Sequence, residues 1–207
     1  MVYCNSANNY YLSDMAKIKN KVPEHHPLRI GIIVNAYNYF DISEYKDQFT
    51  ELNNSHPAIK FILIGYVPEM DKFNLIESSN MEYTNPISII HYFKHLKALK
   101  LNLLFIPLAD SDLNISSENF NKFVEASILN IPVITKRQYP YSKLMRNQIS
   151  GFVYEKTKFF INMVIEIYET SNRDILLNNC AVTGHELVSK NIQYTEINAN
   201  RLINAFD

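Results

Sequence analysis

Arg29-Ile-Gly-Ile-Ile-Val-Asn35 is a short, nearly continuous β-branched run, and Ile59-Lys-Phe-Ile-Leu-Ile-Gly65 is a second. Such runs lack the in–out alternation of a half-solvated strand and suit strands buried on both faces of a sheet. Between them, Asp41 to Asn54 places Ile42, Tyr45, Phe49 and Leu52 at spacings of three and four, which predicts a helix with one apolar side. The alternation continues outward. Met81-Glu-Tyr-Thr84 predicts a short strand, followed by a helix from Pro86, which a first turn tolerates, to about Leu99. Asn102-Leu-Leu-Phe-Ile-Pro107 predicts another strong strand that stops at its proline. A helix over roughly 118–129 leads to the strand Ile131-Pro-Val-Ile-Thr135. Gly151-Phe-Val-Tyr154 predicts a last short strand, after which the chain reads as helical to its end. Strands alternating with helices of this length form parallel βαβ units. The fold class is therefore α/β: a Rossmann-like, doubly wound parallel sheet flanked by helices, with a helical C-terminus. Residues 1–28 are rich in Asn, Tyr and Lys and end in Pro23-Glu-His-His-Pro27, which suggests a lead-in segment. Residues 29–207 then make one domain, in keeping with a length of 207 residues.

Composition excludes several function classes. The chain holds 4 glycines, at Gly31, Gly65, Gly151 and Gly184, well under the average of about 7%. A Walker loop or a dinucleotide fingerprint needs several glycines in one turn so that backbone can approach phosphate, and both are ruled out. With 20 basic and 21 acidic residues the formal net charge is −1, and Lys94 to Lys100 is a leucine-interleaved helix face, so no nucleic-acid partner is expected. Cys4 and Cys180 are too few and too far apart for a disulfide framework or a thiolate metal site, which points to a reducing compartment. No run approaches the ~20 apolar residues of a membrane span. Met1 to Lys21 lacks the apolar stretch of a signal peptide. A soluble, cytoplasmic protein is the expectation, with peripheral membrane contact left open.

In doubly wound sheets ligands bind outside the carboxyl ends of the strands, where strand order reverses. The loops there, 35–40, 65–71, 107–117 and 135–141, are rich in Asn, Asp, Ser and Tyr, hydrogen-bonding groups suited to a sugar or nucleoside. Asn35, Tyr37 and Asn38 follow the first strand and either line the cleft or supply turn chemistry. Ser116, Ser117 and Asn119 stand where a helix begins; they cap its N–H groups, and the same groups form an anion site if the loop leaves them open. Lys122 can reach a phosphate as a flexible point charge, or sit as a solvated ion pair between Glu118 and Glu125. Asp110, Asp112 and Asn114 lack the glycine and distal glutamate of a calcium loop. His91 and His95 lack the glutamate of a zinc-protease helix and read as solvated or half-buried. No metal is expected, and nothing resembles a nucleophile elbow. Phe159, Phe160, Met163, Val164, Ile167 and Tyr168 read as one core stripe.

Residues 102–154 carry a more specific pattern: Pro107-Leu108, the loop Asp110-Ser-Asp-Leu-Asn114, Lys122-Phe-Val-Glu125, Asn130-Ile-Pro-Val-Ile134, Tyr139-Pro-Tyr141 and Asn147-Gln-Ile-Ser-Gly-Phe-Val153. This order resembles the donor-binding C-terminal half of GT-B glycosyltransferases of the large retaining family 4. Those read approximately PL…N…S…K-F-x-E…G-x-P-V-I…P-Y…G-x-x-G-hydrophobic-V. The aspartate-led helix after strand one and the Ile-Gly ending of strand two fit the same frame, and Tyr3-Cys-Asn-Ser-Ala7 looks like the interdomain segment before this half.

The resemblance implies transfer of a sugar from a nucleoside diphosphate sugar to a glycan or lipid-linked acceptor, as in surface polysaccharide synthesis. It implies a nucleotide sugar as substrate with no separate cofactor. Glu125 would accept hydrogen bonds from the ribose hydroxyls, and Tyr83 with Asn85 would lie near the base. Lys122, Asn114, Ser117, Asn119 and Asn35 complete the expected donor site, and no catalytic residue is assigned. The acceptor half lies upstream in complete enzymes, and this length has no room for it, so the chain alone is expected not to turn over sugar efficiently. The sequence also departs from the pattern. Asn130 replaces a glycine, as does Gln148, where the turn is expected to differ. Ser117 stands where an acidic residue is frequent, with Glu118 one step off. Asn35 to Asp41 carries no cation for the diphosphate. A degenerate domain that binds nucleotide or a protein without chemistry is the competing reading; a generic flavodoxin-like module is a third.

Overall fold

A computed structural model describes residues 27–35, 39–68, 81–108 and 120–191. Six strands run in chain order: β1 (Leu28–Val34), β2 (Ile59–Gly65), β3 (Glu82–Thr84), β4 (Leu103–Ile106), β5 (Val133–Lys136) and β6 (Phe152–Tyr154). They form one sheet in the order β3-β2-β1-β4-β5-β6, and every pairing is parallel. The chain winds outward from β1 to β3, crosses back, and winds outward again from β4, so strand order reverses between β1 and β4. Right-handed crossovers then force the connecting helices onto opposite faces before and after the reversal.

The helices are α1 (Tyr39–Ser43), α2 (Lys46–Ser55), α3 (Ile89–Ala98), α4 (Asn121–Ile128), α5 (Tyr141–Leu144), α6 (Phe160–Glu169) and α7 (Arg173–Asn191), with a 3-10 turn at Thr157–Phe159. One face of the sheet packs on α2 and α6, and its core is aromatic. Tyr45, Phe49, Phe61, Phe105 and Phe160 are buried together, with Phe105 and Phe160 stacked at 4.4 Å and Tyr45 edge-on to Phe105 at 5.0 Å. The other face packs on α3, α4 and α5 and is mostly aliphatic: Ile62, Ile64, Leu96, Leu104, Val124 and Ile128 are buried there, with Phe123 and Tyr141. In α7, Leu177 and Cys180 join the first core and Val188 the second, so this helix wraps the β6 edge of the sheet. Covering an edge strand in this way removes a template for unwanted pairing.

The single helix expected over Asp41 to Asn54 is two helices. Ile42, Tyr45, Phe49 and Leu52 are all buried as their spacing requires, but the chain turns at Glu44 and Tyr45. The Tyr45 hydroxyl reaches inward, donates to the Leu108 carbonyl at 2.9 Å and pairs with the Tyr154 hydroxyl at 2.7 Å. That inward pull replaces one helical turn with a tighter Tyr45 N–H to Ile42 carbonyl bond of 3.0 Å. The expected stripe on α6 holds for Phe160, Val164 and Ile167, which are buried, and for Met163 and Tyr168, which pack against them. Phe159 falls out of it: it lies in the 3-10 turn ahead of α6 and is 43% exposed.

Among the described residues, three non-glycine ones occupy the left-handed region, Lys100, Asn130 and Gln148. At Asn130 (φ 53°) the Ile131 N–H bonds to the Ala126 carbonyl at 2.9 Å and the Asn130 N–H to the Ser127 carbonyl at 3.1 Å. This is a Schellman ending of α4 with Asn in the glycine's place. Gln148 (φ 59°) also keeps the left-handed conformation, and its N–H bonds to the Gly151 carbonyl at 2.7 Å. The turn expected to differ there keeps a glycine-like geometry instead, braced by the Gln148 side-chain amide donating to Glu166 at 3.0 Å.

Candidate functional site

The carboxyl end of the sheet is set by a few tight constraints. Gly65 closes β2 at φ 123°, and a Cβ there would collide with the Val34 carbonyl oxygen at the end of β1. The Thr135 hydroxyl donates to the Ile106 carbonyl at 2.9 Å, joining the ends of β5 and β4. Tyr45 fixes the Leu108 carbonyl, the last described backbone group before residues 109–119. At the strand reversal, the carboxyl end of β1 thus lies close against β2, and that of β4 is tied to β5 and to Tyr45.

Glu125 sits in the middle of α4, the helix between β4 and β5 in chain order. Its Oε2 accepts a hydrogen bond from the Tyr92 hydroxyl of α3 at 2.8 Å. Burial between the two helices raises the carboxyl's pKa above the ordinary 4.5, and this outweighs the lowering by the Tyr92 hydrogen bond and by the Lys122 charge. Tyr92 moves upward too, first by burial and then by the neighbouring Glu125 charge, so it stays a donor at any ordinary pH. The fold thus holds a half-buried acid whose charged form it disfavours, aimed by a tyrosine and paired electrostatically with a lysine. Perturbed groups of this kind cluster at functional sites.

The other expected donor-site residues divide. Lys122 is half-buried and acts on Glu125 through its charge, so the two come together as the motif implies, with Tyr92 as a third member that the sequence did not single out. Only its spacing on the helix at 89–98 could have marked it. Asn35 is exposed directly after β1. Tyr83 is half-buried in β3; its ring packs on the aromatic core and its hydroxyl donates to the Gly65 carbonyl at 2.9 Å, so it braces the β2–β3 end. Asn114, Ser117 and Asn119, with Tyr37, Asn38, Asp110, Asp112 and Ser116, lie outside the described residues. His91 is exposed; His95 is half-buried and bonds the Thr84 hydroxyl at 3.2 Å. Cys180 is buried, and burial pushes its thiol up to about 11, an inert state. Among the described residues no group of three or more His, Cys, Asp or Glu could hold a metal ion, and no helix is long and apolar enough to cross a membrane.

No protein-family model matches the sequence, and no curated protein matches it. Solved structures do match. A mutant of S. aureus TarM in complex with Fondaparinux, alpha-GlcNAc-glycerol and UDP superposes with TM-score 0.67 at 20% identity, over 92% of this chain and 38% of that one. Anabaena HepE in complex with UDP and glucose gives 0.67 at 12%, over 94% of this chain and 52% of that one. The chain has the Rossmann-like fold of one half of a GT-B glycosyltransferase. The C-terminal domain of a glycosyl transferase group 1 family protein, LpcC of Francisella tularensis, matches with TM-score 0.59 at 14% identity, over 94% of this chain and 97% of that domain. This chain therefore spans between about two fifths and one half of the TarM and HepE chains and nearly all of the LpcC domain. At these identities the likeness is one of fold.

Proposed function

We propose that the chain is the nucleotide-sugar-binding half of a glycosyltransferase, with Glu125 receiving the ribose hydroxyls. One observation carries this reading: a carboxylate that the fold half-buries against its own preference, oriented by Tyr92, on the helix that follows β4 in the chain. A carboxylate with one oxygen engaged keeps lone pairs for further donors, and charge-assisted bonds of this type are about twice as strong as neutral ones. Structural neighbours solved in complex with UDP support a nucleoside diphosphate as the ligand class. The parent reaction is sugar transfer to a glycan or lipid-linked acceptor, with a separate acceptor-binding half. Its rate comes from orienting the donor and stabilising the departing diphosphate.

A second reading has its own support. The loop after β1 carries no lysine or arginine between Asn35 and Asp41, and Asp41 itself is buried. A domain that binds nucleotide weakly, or a protein instead, would tolerate that loss. Calorimetric titration with uridine, guanosine and thymidine diphosphate sugars separates the two. The donor-half reading expects binding of one base class, weakened about tenfold or more by Glu125→Ala, since hydrogen bonds to charged groups contribute about 1.5–3 kcal/mol. No binding to any member of the panel contradicts it and favours the protein-binding module.

A further inference from the structure

Tyr83, expected near a base, is engaged elsewhere: its ring packs on the aromatic core and its hydroxyl holds the Gly65 carbonyl at 2.9 Å. The residue after that glycine is different. Tyr66 is 52% exposed and belongs to neither core, whereas Val67 beside it is buried in the aromatic one. Its backbone is nonetheless fixed. The Tyr66 N–H bonds to the Val34 carbonyl at 3.2 Å, so the side chain emerges where β1 and β2 end together. Other exposed rings have a cation on their face: Lys143 lies 5.3 Å from the Tyr139 centroid and Lys158 5.2 Å from that of Phe159. Among the described residues, no cation or second ring covers Tyr66.

A short run of contacts joins this ring to Glu125. Glu125 accepts a hydrogen bond from Tyr92, in the first turn of α3. One turn further on, the His95 ring bonds the Thr84 hydroxyl at 3.2 Å and sets α3 against the last residue of β3. Tyr92 is nearer the start of α3 than His95, so Tyr92 and Glu125 lie at the carboxyl end of the sheet. At that same end Tyr83, the neighbour of Thr84, holds Gly65, and Gly65 leads into Tyr66. A half-buried carboxylate and an exposed ring are thereby set at one end of the sheet, linked through α3 and β3.

We propose that Tyr66 is the ring on which the base of a nucleoside diphosphate stacks when Glu125 receives its ribose; this rests on the donor-half reading above. A nucleobase offers a flat π-face, and covering an exposed ring with one removes apolar area from water. Stacking tolerates every base, since each has such a face. Tyr66 therefore supplies affinity and leaves the choice among bases to hydrogen bonds. A protein surface covering the ring instead would leave nucleotide affinity independent of Tyr66.

Calorimetry and proton NMR of the purified chain with uridine, guanosine and thymidine diphosphates test this. For the nucleotide that binds, Tyr66→Ala should raise Kd about fivefold or more, the lower end of what one base–aromatic stack contributes, and Tyr66→Phe should leave it within about twofold. The base protons should move upfield on binding to the wild type and to Tyr66→Phe, through the ring current of the stacked side chain, and should not on binding to Tyr66→Ala. Tyr66 is exposed, so both variants should melt with the wild type, and a lost affinity is then not a lost fold. Wild-type affinity in Tyr66→Ala, or base protons shifted upfield as before, overturns the proposal and leaves the donor half standing. Equal losses in Tyr66→Phe and Tyr66→Ala also overturn it, in favour of a hydrogen bond from the hydroxyl. No binding of any of these nucleotides to the wild type overturns both readings.

Discussion

The two faces of the sheet are built differently. On the α2–α6 face, Tyr45, Phe49, Phe61, Phe105 and Phe160 form a continuous aromatic cluster, and its polar atoms are spent inside the fold: the Tyr45 hydroxyl engages Leu108 and Tyr154. On the α3–α4 face the core is largely aliphatic, and a carboxylate sits between the two helices in a setting that raises its pKa. The first face contributes stability at nearly every position. The second gives up some of it at Glu125, whose charged form burial disfavours.

The contrast can be broken at its strongest point first. Phe160→Ala removes the ring stacked on Phe105 and should destabilise the domain by about 3–5 kcal/mol in chemical denaturation. A cost under about 1 kcal/mol would mean the aromatic face does not hold the fold. Tyr45→Phe keeps the ring but strips the buried Leu108 carbonyl of its donor, with an expected loss of about 1–3 kcal/mol.

On the other face, Tyr92→Phe removes the hydrogen bond to Glu125 and should cost about 1–2 kcal/mol while pushing the carboxyl pKa further up. Glu125→Gln should act in the opposite sense. A raised carboxyl pKa stabilises the fold fully below the unfolded value near 4.3, and that contribution is lost as pH rises through the folded value. The glutamine variant should therefore gain stability relative to wild type at pH 7, with the gain shrinking to nothing below about pH 4. Thermal melts across pH read this directly, and a glutamine variant less stable at pH 7 would contradict the account of the site. The smallest effect concerns neither face. Lys100 is exposed at φ 51° after α3, and Lys100→Gly should stabilise by about 1 kcal/mol because left-handed backbone strains a residue with a Cβ.

Most of the architecture was legible in the sequence because strands buried on both faces write themselves as unbroken β-branched runs. Ile59 to Gly65 is a strand with those bounds, and Arg29 to Asn35 differs from β1 by one residue at each end. The break at Tyr45 was not legible, because a buried tyrosine has the same spacing whether its hydroxyl stays along the helix or reaches across to Leu108. Phe159 misled for a related reason: its neighbour Phe160 satisfies the helical spacing, and only the 3-10 turn decides which of the two faces inward. Gln148 shows that a turn can keep a glycine's conformation without a glycine when its side chain finds a partner, here Glu166. Within the site, Lys122 and Glu125 were readable as a motif. Tyr92 lies more than thirty residues away and meets Glu125 only because the strand reversal sets α3 beside α4.

The most direct test of the donor site is a backbone amide NMR titration of the chain with uridine diphosphate and its guanosine and thymidine counterparts. The account predicts that one of them shifts resonances at Val34 and Asn35, at Ile106 to Leu108 and along Asn121 to Glu125, and leaves α2 unchanged. Shifts confined to α2, or none with any of the three nucleotides, would contradict it.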